Sequence, residues 1–244
     1  MTLYFLRTKN LPIFTQLQLE EALLRTSCVN ICLVNEGSSQ AIVMGISGKL
    51  EELINAKKIR EKPIPIIKRF SGGGTVVVDE DTLFVSFLFQ KETHSFQPFP
   101  KTIMEWSASI YKEVFSAHDF QLRENDYVFG EKKFGGNAQY IKKDRWLHHT
   151  SFLWDYKEES MEYLLHPKKT PQYRQERSHD DFLCKLCKHE KSKENVIERL
   201  KMTLSQNYSF QEITLGEVLE MTKGDHRKNT TFVSLQDQEL VSAR

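Results

Sequence analysis

Lys68-Arg69-Phe70-Ser71-Gly72-Gly73-Gly74-Thr75-Val76-Val77-Val78-Asp79 is the segment from which the rest of the chain can be ordered. Before it, Ile64 to Ile67 is β-branched and prolyl and reads as a strand entry. After it, Thr75 to Val78 and then Leu83 to Phe89 have β-propensity, so the glycines are predicted to join strand to strand. A Walker-type phosphate loop needs Lys-Ser or Lys-Thr after its glycines and a helix behind them, and a dinucleotide-binding turn also opens a helix. Neither pattern is here. What remains is three glycines in a row, which leave their backbone N–H groups unshielded and allow positive φ, preceded by the cations Lys68 and Arg69. Such a turn can curl around an anion. The bland alternative is a hairpin loop, since glycine clusters usually mark turns.

A second stretch favours the anion cradle. Asn125-Asp126-Tyr127-Val128-Phe129-Gly130-Glu131-Lys132-Lys133-Phe134-Gly135-Gly136-Asn137-Ala138-Gln139 again couples lysines to a Gly-Gly pair, and Arg145-Trp146-Leu147-His148-His149-Thr150-Ser151-Phe152-Leu153-Trp154 follows it. In this order the segments resemble the lipoate–protein ligase family, whose relatives are the octanoyltransferases and biotin–protein ligases. That family has a turn of paired arginines, serine and three glycines ending in aspartate. Asn-Asp follows, then a lysine before a small-residue turn and alanine, and a strand with paired histidines. The resemblance runs over residues 10–183. It implies an α+β fold, with mixed, largely antiparallel β-sheets flanked by helices: the biotin/lipoate ligase catalytic-domain fold. The departures are Lys68 for the first arginine, Val78 for the histidine often found before the aspartate, and Ile46-Ser47-Gly48 where relatives carry polar residues after the glycine matching Gly45.

With 244 residues, 39% hydrophobic and 27% charged, the chain suits one globular domain with a small annex. The expected division is a catalytic domain over 1–190, an annex over 191–223 and a flexible tail over 224–244. A net charge of +1 gives no polybasic character, so neither nucleic acid nor a membrane is expected as a partner. No apolar run approaches a membrane span, and the N-terminus lacks the pattern of a secretion signal. Four cysteines make no dense disulfide framework, which points to free thiols in the cytoplasm.

Asn10-Leu11-Pro12 reads as a helix start with Asn10 as its cap. Ile13, Leu17 and Leu24 then share one helical face, with Glu20 and Glu21 solvated. Val29 to Val34 and Ala41 to Ile46 read as a hairpin. Leu50 to Ile59 reads as a helix, and Thr102 to Ala117 as a core helix. Phe129 to Tyr140 and Trp146 to Trp154 read as antiparallel strands. Glu158 to Leu165 is a short helix stopped by His166-Pro167. A basic connector leads to a helix capped by Ser178 and running through Phe182 and Cys187. Ser192 to Ser205 is a helix, and Phe210 to Met221 a strand and helix.

The resemblance implies ATP-dependent activation of lipoate to lipoyl-AMP, with Mg²⁺ on the nucleotide. The acyl group then passes to a lysine of lipoyl-domain proteins, namely E2 subunits of 2-oxoacid dehydrogenases and the glycine cleavage H protein. Lys133 is the expected catalytic residue, able to hold both the carboxylate and the α-phosphate. Lys132 is the register alternative, because neighbours on a strand face opposite ways. Expected along the nucleotide and acyl-adenylate are Lys68, Arg69 as a phosphate fork, Ser71, Gly72, Gly73, Gly74, Thr75, Val76, Val77, Gly135 and Gly136. Asp79 and Asn125 would serve ribose, adenine or a Mg²⁺ shell. Phe70, Phe134 and His149 are acyl-pocket candidates beside Val77 and Leu147; both His148 and His149 also read as structural, with one of them able to reach the acyl pocket. No protein-held metal site is assigned. Long ligases carry a further domain, so activation here could need a separate accessory subunit. The alternatives are an octanoyltransferase working from an acyl-carrier thioester, with Cys184 as nucleophile, and a non-catalytic lipoyl-domain-binding homologue. Lys168, Lys169, Arg174 and Arg177 would steer an acidic acceptor domain.

Overall fold

Strand pairing in this chain joins distant strands as often as consecutive ones. The structure, a computed structural model, describes residues 1–165, 171–175 and 177–235. In chain order its first elements are β1 (Thr2–Lys9), α1 (Ile13–Thr26), β2 (Asn30–Glu36), β3 (Ala41–Met44), α2 (Leu50–Leu53), α3 (Ala56–Glu61), β4 (Ile66–Lys68), β5 (Val76–Val78) and β6 (Thr82–Gln90). After them come α4 (Pro100–Val114), β7 (Phe120–Arg123), β8 (Asp126–Phe129), β9 (Lys132–Ile141), β10 (Arg145–Leu153) and α5 (His179–Phe182). The last are α6 (Lys193–Asn207), β11 (Ser209–Ile213), α7 (Leu215–Glu220) and β12 (Thr231–Phe232). One sheet has eight strands in the order β11-β1-β2-β6-β10-β9-β8-β7, and the other has four, β12-β4-β3-β5. The parallel pairs are β1 with β2 and β11, and β3 with β4; the rest are antiparallel. The expected mixed, largely antiparallel α+β architecture is what the chain adopts.

Alternation along β6 sorts its side chains between two cores. Leu83, Val85, Phe87 and Phe89 face the core that holds α4 and α6, with Trp146, Phe134 and Phe152. Phe84 and Leu88 face α1. Helix α1 lies between the sheets: Leu23 and Leu24 pack with Leu33, Leu88 and Leu147, while Ile13 and Leu17 pack with Val43, Ile67 and Val78 of the small sheet. That placement leaves a cavity at the seam of the two sheets. No helix among the described residues is long and apolar enough to cross a membrane.

Several local expectations give way to tertiary contacts. β2 and β3 do not form a hairpin, since they belong to different sheets. The chain crosses between them at Gly37, with φ +87°, where Gly37 and Ser38 donate to the carbonyls of Thr82 and Asp79. Asn10 does not cap α1; it has φ +54°, and the Ile13 N–H donates to Ser38 Oγ at 2.8 Å. The helix over 50–59 is split at Ile54 and Asn55. Glu20 and Glu21 are not solvated: both are buried, Glu20 against His149 and Glu21 against Arg25. The Ser178 cap is present, but α5 ends at Phe182, and Cys184 is extended against β9 rather than helical. The stop at His166-Pro167 lies outside the described residues.

The stretch set apart as an annex is continuous with the large sheet. β11 pairs with β1, and α6 contributes Val196, Ile197, Leu200 and Leu204 to the main core. Farther on, β12 pairs with β4, and Phe232 stacks on Phe14 of α1.

Candidate functional site

The triglycine turn takes its shape from the buried side chain of Arg69. Its Nη2 donates to the carbonyls of Gly72 (2.9 Å) and Gly74 (2.8 Å), and Nη1 to that of Val43 (3.4 Å). A trans peptide points its N–H opposite to its C=O. Drawing the Gly72 and Gly74 carbonyls toward the guanidinium therefore aims the N–H groups of Gly73 and Thr75 away from it. Burial pushes the Arg69 guanidinium down to about 10. Arg69 thus supports the cradle from behind, with its donors on carbonyls rather than forked outward for phosphate. The turn spans β4 to β5 and passes over the end of β3, so Gly45 meets it closely: a Cβ there would sit 2.3 Å from the Gly73 carbonyl oxygen. Gly73 itself holds φ +109°.

Two chambers open against this turn. The first encloses about 410 Å³ and is lined by apolar groups of α1 and both sheets, among them Ile13, Leu17, Val43, Val78 and Phe84. The second encloses about 500 Å³ and is lined by Leu53, Val77, Met161, Leu164 and Phe182. Both volumes suit small-molecule ligands. Gly74, Thr75, Val76, Asn125, Asp126, Lys133 and Gly136 line both chambers and form their shared wall. The glycine turn and the Lys133 segment, distant in sequence, thus meet around one site.

Lys133 lies in β9 with its side chain 26% exposed, and its Nζ is 2.7 Å from Asp126 Oδ1. Asp126 is buried, and its other oxygen accepts from the Tyr173 hydroxyl at 2.8 Å. Gly136 leaves room beside the ammonium: a Cβ there would stand 3.5 Å from Nζ. Lys132, the register alternative, lines neither chamber.

The blind side of the first chamber holds a buried polar chain. His149 lines the chamber together with Ser151, whose Oγ is 3.4 Å from His149 Nε2. On its other side His149 Nδ1 meets Glu20 Oε1 at 2.9 Å. Glu20 also accepts from Ser86 Oγ (2.6 Å) and Gln16 Nε2 (2.9 Å), and Gln16 accepts from Asn35. Burial raises the Glu20 carboxyl, but the His149 ring and the Ser86 and Gln16 hydrogen bonds outweigh it and hold the group below its usual range. His148 points to the opposite face, where Tyr127 and Gln139 contact it, and burial pushes it down to about 3. The adjacent histidines therefore divide as strand geometry requires, with His149 on the cavity side.

Other expected residues lie elsewhere. Phe70 is in the core under α1, against Tyr140, and Phe134 is in the α4 core between Phe129 and Phe152; neither lines a chamber. Leu147 is likewise core. Gly135 is packed against the Phe152 ring. Asp79 folds its own turn, accepting from the Asp81 N–H, and Ser71 is buried with its hydroxyl unpartnered among the described residues. Lys68, at the end of β4, lines neither chamber. Arg174 and Arg177 are tied to the backbone and are not a free steering patch; Arg174 donates to the Arg177 carbonyl, and Arg177 to the carbonyls of Tyr173, Arg174 and Glu131. Lys168 and Lys169 lie outside the described residues. Glu20, Asp126, Ser86 and Arg174 were missed as site residues. Asp126 stood in the quoted Asn-Asp pair and Glu20 on the helical face of 13, 17 and 24, but neither position by itself marked a site residue.

Residues 12–207 match the family described as the lipoyl protein ligase A/B catalytic domain. The chain belongs to that family. Among curated relatives, a Plasmodium falciparum protein named inactive lipoate–protein ligase 2 is 32% identical over 254 aligned residues, covering 77% of this chain. The chain spans 65% of that relative's length. The bipartite archaeal lipoate protein ligase of Thermoplasma acidophilum, described with its E2 lipoyl domain, superposes with a TM-score of 0.76 over 91% of each chain at 18% identity. A lipoate–protein ligase A bound with ATP gives 0.75 over 91% of this chain and 92% of its own, also at 18% identity. These two superpositions show that the chain has the ligase catalytic fold.

Proposed function

We propose that this lipoyl ligase-family domain activates lipoate with ATP and transfers the lipoyl group to a lysine of a lipoyl-domain protein. The observation that carries the reading is the position of Lys133, whose ammonium stands in the wall common to the two chambers. The first, which ends on Ile13, Leu17 and Phe84 beneath His149, takes the acyl chain, and the second takes the nucleotide. At their junction a carboxylate oxygen attacks the α-phosphorus of ATP. The bond from that phosphorus to the bridging oxygen breaks, pyrophosphate leaves with the electron pair, and the mixed anhydride lipoyl-AMP spans both chambers. A neutral lysine amine of the acceptor then attacks the acyl carbon. AMP departs as the C–O bond breaks, and the amine proton passes to solvent.

Lys133 holds the two anions together and offsets charge on the acyl oxygen, while the Thr75 N–H, aimed away from Arg69 in the wall shared by both chambers, faces the phosphate. Asp126 keeps the ammonium in place until substrates arrive. Mg²⁺ would come on the nucleotide. Among the described residues no cluster of three or more ligating side chains holds a metal by itself, and the Asp126 carboxylate and Asn125 amide are hard oxygen donors in the second chamber. That set fits an ion carried mainly by phosphate oxygens, whose charge it would neutralise.

Acceptors would be E2 subunits or the H protein, in the cytoplasm, where the four free thiols persist. The bipartite make-up of the archaeal relative supports an accessory polypeptide for the activation step. The transferase alternative loses support at Cys184, which is buried, donates to the Lys132 carbonyl and has its thiol pushed up to about 11, mainly by burial. A thiol in that state is a weak nucleophile at neutral pH. The relative named inactive favours, as the second reading, a domain that binds without turning over.

Purified protein with lipoate, Mg²⁺ and ATP is assayed for pyrophosphate release and for lipoyl-AMP by mass spectrometry. Both products are expected, and both vanish in Lys133→Ala while lipoate still binds. Full activity in Lys133→Ala removes Lys133 from the reaction. Ligand binding with no pyrophosphate leaves the non-catalytic reading.

A further inference from the structure

The second chamber contains a cation besides Lys133. Arg174 lines that chamber and is only 6% exposed. Its Nε donates to the Arg177 carbonyl at 3.1 Å, and its guanidinium lies over the Phe182 ring at 5.1 Å. Nη2, however, is buried with no hydrogen-bond partner among the described residues. An unpaired donor on a buried charge is costly. Burial, with the neighbouring Arg177 charge, holds this guanidinium below its ordinary range, and only the Tyr173 hydroxyl opposes the shift. The acids in the chamber are engaged elsewhere: Asp126 by Lys133 and Tyr173, and Glu124 by the Tyr173 N–H at 3.3 Å. A second unsatisfied donor lies in the lining of the same chamber: the Thr75 hydroxyl is also buried without a partner among the described residues.

We infer that Arg174 and the Thr75 hydroxyl form a polyphosphate subsite in the second chamber, apart from Lys133, which receives the β- and γ-phosphates of the nucleotide and holds pyrophosphate as it forms. A guanidinium suits this task because it presents parallel N–H donors to phosphate oxygens. Contacts from Phe182 and Arg177 fix that fork in advance. Phe182 packs under the guanidinium, and Arg177 is itself tied to three backbone carbonyls. The subsite rests on the adenylating reading for its role, but its binding chemistry can be measured separately.

The probe is inorganic pyrophosphate, titrated calorimetrically into the full chain, with lipoate as the control ligand. Wild type binds pyrophosphate in competition with ATP. Arg174→Gln weakens pyrophosphate by about ten- to a hundred-fold, the size of a lost charge-assisted hydrogen bond. Arg174→Lys, which restores charge without the fork, falls between. Lipoate affinity, set by the first chamber, stays unchanged in both variants and shows that they are folded. Equal pyrophosphate affinity in wild type and Arg174→Gln overturns the subsite, as does a wild type that does not bind pyrophosphate. Pyrophosphate binding through Arg174 without lipoyl-AMP formation supports the subsite and removes the ligase reading. Lipoyl-AMP formation at the wild-type rate in Arg174→Gln does the reverse.

Discussion

Lys133 and Asp126 are joined at 2.7 Å in a wall exposed to two cavities, and this pairing governs what the lysine can do. Asp126→Asn keeps the shape and the Tyr173 contact but removes the counter-charge. Single-turnover formation of lipoyl-AMP should then fall by about a hundred-fold through loss of position, with thermal stability little altered. Unchanged turnover would show that the ammonium is placed by something else. Glu20 behaves differently. It is the buried anion behind His149, so Glu20→Ala should cost about 3–5 kcal/mol in urea unfolding near neutral pH. A change below 1 kcal/mol would mean the pair contributes little. The place of Lys133 in the cavity wall was legible in the sequence because a glycine pair and an alanine follow it at a recognisable spacing. Glu20 was not, because a glutamate on a helix is solvated by default. Its three side-chain partners, Gln16, Ser86 and His149, come from three different elements. Arg174 was equally hidden: a basic connector gives no hint of which cation folds inward.

Among elements, the glycine turn is a crossing rather than a hairpin. β4 and β5 both pair with β3, from opposite sides, so residues 69–75 must pass over the end of that strand. Clearance there is set by Gly45. Gly45→Ala would put a methyl group 2.3 Å from the Gly73 carbonyl oxygen, which must move, taking the neighbouring N–H groups with it. ATP binding should weaken at least about ten-fold with a stability loss of about 1–3 kcal/mol. Wild-type affinity in that variant would show that the turn does not need this approach. Strand-to-strand connection across the glycines was readable from β-propensity on both flanks, as were α4, β9, β10 and α6. The β2–β3 hairpin was misread because adjacent strands with a short connection usually pair. Nothing within 29–46 tells that the partners of β3 lie beyond residue 65.

At the scale of the whole molecule, buried histidines set the acid limit. Burial, with His149 beside it, pushes His148 down to about 3, and burial pushes His94 down to about 4, against 6.5 for a free histidine. Below pH 6.5 the unfolded chain takes up protons that the folded one refuses until about pH 4 and 3, so stability falls as the medium is acidified through this window. Each histidine contributes at most about 1.4 kcal/mol per pH unit. Glu20 adds a further loss below its ordinary value of 4.5, because its folded carboxyl titrates lower still. Urea midpoints should drop between about pH 7 and 5, and His148→Gln should flatten that slope; a flat wild-type profile would contradict the buried neutral rings. The last described strand has a consequence of its own. The N–H groups of Asn229 and Thr230 donate to the buried Glu21 of α1, and Thr231 and Phe232 pair with β4 at the root of the glycine turn. Any ligand that steadies α1 and β4 must also tighten the grip on this segment. Trypsin cleavage at Arg227 and Lys228 should therefore slow when lipoate is bound, making the far end of the chain a reporter of occupancy at its centre.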